Sequence, residues 1–162
     1  MSPAEVAAVA RLRLAAELDQ DREGLRSLAS AILRLQHRTD DSDREWLRVR
    51  ALSFEIERWY TAVEGLFERI LRTLEGEVPE GASRHRELLR LAVVAVEPLR
   101  PALLPLSVQG DARELLGFRH LARHAYDVEP DPERMRAHAD RVARVQVALC
   151  ASMAALVVRL RS

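Results

Sequence analysis

Arg119, His120, Arg123, His124 and Tyr126 lie within one short stretch, Gly117 to Asp127, and their side chains together can handle a phosphodiester. Arginine offers a permanent, forked cation that matches phosphate oxygens. Histidine moves a proton near neutral pH. A phenol can position a phosphate, and none of these roles needs a metal. The spacing is Arg119, four residues, His124, one residue, Tyr126. On a regular helix Arg119 and Tyr126 share one stripe about two turns apart, whereas Arg119 and His124 diverge by roughly 140°. A single straight helix therefore does not aim Arg119 and His124 at the same atom. Either the helix ends near 123 and His124 turns in, or two copies of the motif meet across an interface. Geometry alone does not choose.

Plainer roles compete with this chemistry. An Arg, a His and a Tyr at a helix end can cap carbonyls or pair with nearby acids. Asp127, Glu129 and Asp131 follow at once and can neutralise Arg119 or Arg123. Arg123 and His120 are further candidate phosphate contacts. His120 and His124 also have the i, i+4 spacing of metal ligands on a helix. No Glu lies between them, and the nearest third ligand is His138, so the stretch is read as binding no metal. His37 and His85, near helix ends, read as local caps. Trp46, Trp59 and Phe67 read as core or dimer packing rather than as platforms for bases.

The elements that must position this stretch are helices. Ser2-Pro3-Ala4-Glu5 is a capping box with Pro at the first helical position. Leu18, Leu25, Leu28, Ile32 and Leu35 then form a heptad seam in which Asp21 fills the missing position. One helix to about Gln36 follows, with Gly24 a point where it could break. Asp40 to Asp43 stop that helix and start the next, since acids suit a helix N-terminus. The second helix runs to about Leu74 on the stripe Val49, Leu52, Ile56, Trp59, Val63, Leu66, Ile70 and Leu74. Phe54, Tyr60, Phe67 and Leu71 widen that stripe, so the helix is expected to touch partners on two sides. A third helix is predicted from a Ser83 cap to about Val96. Pro98, Pro101 and Pro105 then impose a kinked connector. The fourth helix starts near Val108 or Asp111 and runs into the motif. Asp131-Pro132 starts the last, which continues to about Leu160.

Composition agrees with an all-α bundle. Of 162 residues, 48% are apolar, yet only three Phe, two Trp and two Tyr occur, so the core is aliphatic. All 25 basic residues are arginine, and 25 acids balance them to a net charge of zero. A general nucleic-acid binder is usually basic. The distribution is uneven: residues 37 to 83 carry 11 acids and 7 Arg, whereas residues 84 to 124 carry 4 acids and 7 Arg. The segment leading into the motif is the basic one, as a local phosphate site requires. Cys150, the only cysteine, lies in an apolar helical run and is read as a buried small hydrophobe. A lone cysteine and the lack of a signal-peptide core point to the cytoplasm. The run Val145 to Val158 contains Gln146 and Ser152 and is shorter than the roughly 20 residues a membrane span needs, so no membrane partner is expected.

R-x4-H-x-Y is the signature of HepT-type toxins in the HEPN superfamily, helical ribonucleases of prokaryotic toxin–antitoxin pairs, and the chain resembles them at Arg119, His124 and Tyr126. The similarity extends over residues 40 to 160, through Phe54 to Tyr60, Leu66 to Ile70, His85 to Leu89, Phe118 to His120, and Asp131 to Arg134. The resemblance implies a homodimer whose motifs face each other across a composite cleft. It implies an endoribonuclease of a type VII-like pair, with Arg119 and His124 catalytic, an RNA such as tRNA or mRNA as substrate, and no cofactor. It also implies a cognate minimal nucleotidyltransferase as antitoxin, which transfers AMP onto Tyr126. Added bulk and negative charge there would block an anionic substrate.

The resulting expectation is a bundle of five main helices whose long first two form an antiparallel hairpin. Residues 1–40 would be an N-terminal extension for dimer or partner packing, and residues 41–162 the HepT-like domain, in one globular unit. The alternative is a catalytically inactive module of the same fold that dimerises and docks a nucleotidyltransferase or binds nucleotide or RNA. A third reading is a structural adaptor using the heptad seam of the first helix.

Overall fold

The computed structural model describes residues 1–38, 42–124 and 129–162, leaving out the side chains of residues 42, 43, 121, 123 and 124. In chain order they form α1 (Pro3–His37), α2 (Ser42–Leu74), α3 (Arg84–Ala92), a 3₁₀ turn (Leu106–Val108), α4 (Gln109–His124) and α5 (Pro132–Arg161). Among the described residues there is no strand beyond a single bridge between Val96 and Arg100. The all-α bundle with five main helices is as expected. Asp40, Asp41, Tyr126 and Asp127 lie outside the described residues.

Both ends of the long helices follow from local chemistry. Ser2 N–H donates to Glu5 Oε2 (2.5 Å) and Glu5 N–H to Ser2 Oγ (3.3 Å), the reciprocal pair that satisfies two orphan donors. Asp131 Oδ1 accepts from Arg134 N–H (2.7 Å), and Pro132 opens α5. At the end of α2, Gly76 takes φ 81°, a left-handed conformation that lets its N–H reach back to Leu71 O (3.2 Å). α1 passes through Gly24 without a break, because the seam on either side is anchored by buried Leu18, Leu25 and Ile32.

Side-chain contacts set the helix directions. Arg69 of α2 meets Asp21 of α1 (2.6 Å), and Arg48 Nη1 donates to Leu35 O (3.2 Å). The two helices are therefore antiparallel. Gln36 donates to Asp140 (2.6 Å) and Arg161 pairs with Asp19 (2.7 Å), so α5 also runs antiparallel to α1. Asp111, at the start of α4, holds Arg144 of α5 (2.7 Å). α2 is the shared wall: it packs against α1, α3, α4 and α5, with Ile56, Trp59, Val63 and Ile70 buried on its stripe and Tyr60, Phe67 and Leu71 widening the buried surface. Gln146, the polar residue in the apolar run of α5, is buried and accepts from Trp59 Nε1 (2.7 Å). Its amide nitrogen donates to Cys150 Sγ (3.1 Å), and Cys150 is only partly buried, in contrast to the fully buried thiol expected.

Several expectations need correcting. α3 ends at Ala92 rather than near Val96, because Leu103 and Leu104 N–H groups cap Ala92 O (2.7 and 3.0 Å). Arg100, 0% exposed, completes that end: it donates to Leu91 O (3.2 Å) and Val94 O (2.7 Å) and pairs with Glu75 (2.5 Å). Ser83 precedes α3 but makes no side-chain cap. Trp46 and Phe54 are 52% and 59% exposed, on the outer face of α2, with Arg50 and Arg58 over their rings (5.8 and 5.7 Å). The run Val145–Val158 belongs to a longer helix that is, by length and composition, apolar enough to cross a membrane, with an 18-residue window of mean hydropathy 1.6. Leu149, Met153, Leu156 and Val157 of that window are buried in the common core.

Candidate functional site

α4 carries the motif. Its last helical residue is His124, close to the end near 123 that one alternative expected, and the direction of the His124 side chain lies outside what is described. Helix register puts position 124 about 140° from position 119 and on the stripe of position 120. Phe118 and Arg119 point into the protein, whereas His120 is exposed. Arg123 and His124 have their backbones in the last turn of α4; their side chains, and Tyr126 altogether, lie outside what is described.

Arg119 is only 6% exposed and enters a polar pocket between α2, α3 and α4. Its Nε lies 3.3 Å from Glu64 Oε2. The N–H is not aimed at that oxygen, so this is an ion pair without a hydrogen bond, and Nε–H is left with no acceptor among the described residues. Glu64 Oε1 sits 2.9 Å from His85 Nδ1. His85 Nε2 in turn faces Arg119 Nη1 (3.4 Å) and Arg84 Nε (3.4 Å). A nitrogen beside a carboxylate must carry the proton, and a nitrogen facing two guanidinium donors must be the acceptor. The network therefore assigns neutral His85 as the Nδ1–H tautomer.

The electrostatics follow from burial. Loss of hydration raises the Glu64 carboxyl above its ordinary range, with Glu68 adding to it, while Arg119 and then His85 pull it back. Tyr60, one turn before Glu64 on α2, is buried, and burial first, then the Glu64 charge, pushes its phenol far up, against the pull of Arg119. It stays a neutral phenol. Two guanidinium groups, Arg84 and Arg119, face Nε2 of the His85 ring, which suits an anionic ligand there.

These contacts revise the earlier reading. His85 is not a local cap; it bridges α2 and α4. Of the acids after the motif, Glu129 pairs with Arg50 (3.6 Å) and Asp131 caps α5, while Asp127 falls outside the described residues. His138, the candidate third metal ligand, is buried with its ring against Phe118 (4.7 Å between centroids). Burial, then the nearby Arg141 and Arg134, lower its pKa to about 4. Among the described residues no group of three or more His, Cys, Asp or Glu is arranged to hold a metal.

Glu64 and His85 are the residues that sequence reasoning missed. A signal for Glu64 was present: it falls in line with Tyr60, Phe67 and Leu71, where the second face of α2 would otherwise be apolar. A buried acid at such a position needs a cationic partner. Nothing in the local sequence names that partner, which lies on another helix.

The family model described as HepT-like protein matches residues 51–160, well over half of the chain. The span includes Glu64, Arg84, His85, Arg119, His124 and Tyr126, and it leaves α1 outside. No curated protein and no solved structure matches the chain. The chain belongs to the HepT-like family of the HEPN superfamily.

Proposed function

We propose that this protein is a HepT-like toxin, a metal-independent endoribonuclease of a type VII-like toxin–antitoxin pair. The observation that carries the reading is the sequence motif R-x4-H-x-Y in a chain of the HepT-like family, with its Arg119 held on α4. Arg119 stabilises the charge that builds on phosphorus. His124 moves a proton, as base for the ribose 2′-OH or as acid for the leaving 5′-oxygen. The products are a 2′,3′-cyclic phosphate and a 5′-OH, and DNA is not cut. Register separates positions 119 and 124 on one helix, which supports a homodimer with a composite cleft. The chain acts as one unit in the cytoplasm. α1, ahead of the matched span, offers Val6, Val9 and Leu12 on its outer face to a second copy or to the partner. The partner is a cognate nucleotidyltransferase that places AMP on Tyr126.

One observation favours a second reading. Arg119 is almost wholly buried and paired with Glu64, as a structural arginine would be. On that reading the chain is an inactive binding module of the same fold. Expression of the chain alone in a bacterial host separates the two. A toxin arrests growth, His124→Ala relieves the arrest, and co-expression with the nucleotidyltransferase raises the intact mass in AMP steps that Tyr126→Phe abolishes. A folded, dimeric chain that permits normal growth supports the binding module instead.

A further inference from the structure

Cleavage of RNA through a 2′,3′-cyclic phosphate needs two proton transfers, one from the 2′-OH and one to the 5′-oxygen. Each copy of the R-x4-H-x-Y motif supplies one histidine, His124. The described structure holds a second imidazole beside Arg119, already arranged as a base. His85 Nδ1 is fixed by Glu64 (2.9 Å), so Nε2 keeps its lone pair. That lone pair faces Arg119 Nη1 and Arg84 Nε, both at 3.4 Å. These two contacts are long for N–H donors, so an incoming oxygen can displace them at little cost. His85 is only partly buried, and its contact with Arg84 lies at the surface. A buried carboxylate orienting an imidazole whose far nitrogen meets two guanidinium groups has the three parts that phosphoryl chemistry uses: an oriented base and two forks for phosphate oxygens.

We infer that His85, oriented by Glu64, is the general base of this site, with Arg84 as a second phosphate contact. The inference rests on the ribonuclease reading above. A phosphodiester bridges Arg84 and Arg119. Nε2 of His85 takes the proton of the 2′-OH, the 2′-oxygen bonds to phosphorus, and the P–O5′ bond breaks. The 5′-oxygen leaves with a proton from protonated His124, which the homodimer brings in from the second copy. His85 ends protonated, its charge met by Glu64, and His124 ends neutral; exchange with water restores both. His85 is thus a catalytic residue and Glu64 a positioning residue. The groups that face the imidazole are Glu64 from α2, Arg84 from α3 and Arg119 from α4, and Glu68 and Tyr60 of α2 act on Glu64.

The test is RNA cleavage by the purified full chain across pH, beside His85→Ala, His85→Asn and His124→Ala. His85→Asn keeps an amide donor toward Glu64 and removes Nε2, so it preserves the fold if the alanine variant does not. Both His85 variants should lower kcat by about 100-fold or more and flatten the acidic limb of the pH–rate profile. Added imidazole should restore part of the activity of His85→Ala, which a purely structural role would not allow. If the wild type and His85→Asn cut RNA equally, with the same acidic limb, His85 is not the base, while the ribonuclease reading stands as long as His124→Ala is dead. A wild type that does not cut RNA overturns both.

Discussion

Arg119 shows how one side chain can answer two demands. A guanidinium this deeply buried requires a counter-charge, and Glu64 supplies it at 3.3 Å, on a helix that packs beside α4. Such a pair adds little net stability, because both ions lose their water, but it fixes the direction of the fork. Burial raises the Glu64 carboxyl, so Glu64 alone makes the protein less stable as pH rises through its folded pKa. His138 has the opposite sign. Its folded pKa of about 4 lies below its ordinary 6.5, so the unfolded chain binds more protons between those values. The stability this provides is complete above pH 6.5 and is lost as pH falls through about 4. The full difference is roughly 3 kcal/mol. Urea unfolding between pH 4 and pH 7 should show this slope, and His138→Phe, which keeps the ring against Phe118, should remove it. An unchanged slope in that variant would mean that His138 is protonated as readily in the folded protein as in the unfolded one.

At the scale of elements, the connector after α3 depends on Arg100 more than on its prolines. This buried side chain satisfies the last carbonyls of α3 and ties the connector to Glu75 at the end of α2. Arg100→Ala leaves those oxygens unpaired and should lower stability by about 3 kcal/mol or more. Amide exchange at residues 92–104 should rise with it; unchanged protection would show that the prolines alone hold the connector. The helices themselves were legible from the sequence because their signals are local. The Ser2–Glu5 box, the Asp131–Pro132 start and the periodic stripe of α2 each act within a turn or two. The end of α3 was not legible, because its caps come from Arg100, Leu103 and Leu104, across the connector. Trp46 and Phe54 do not join the core of the chain, which leaves dimer packing as the reading for Trp46. Their positions on α2 turn outward, and arginines cover their rings instead. The site was half legible for the same reason. The motif is a local pattern, whereas Glu64 and His85 are 21 residues apart, and His85 and Arg119 are 34 apart. They meet only once α2, α3 and α4 have packed.

For the whole molecule, the core is continuous from α1 to α5, so Arg119 is carried on a packed frame. The chain as a whole is neutral, and what favours an anionic substrate is local: the basic segment from 84 to 124, and Arg84 with Arg119 around one imidazole. A site of this kind should work without a divalent ion. The most direct measurement is therefore cleavage of total RNA and tRNA by the purified chain in excess EDTA, beside Arg119→Ala and His124→Ala. Cutting should survive EDTA, yield 2′,3′-cyclic phosphate ends and be lost in both variants. Wild-type protein that is folded and dimeric yet leaves both RNAs intact, or cutting that EDTA abolishes, would contradict the metal-independent ribonuclease reading.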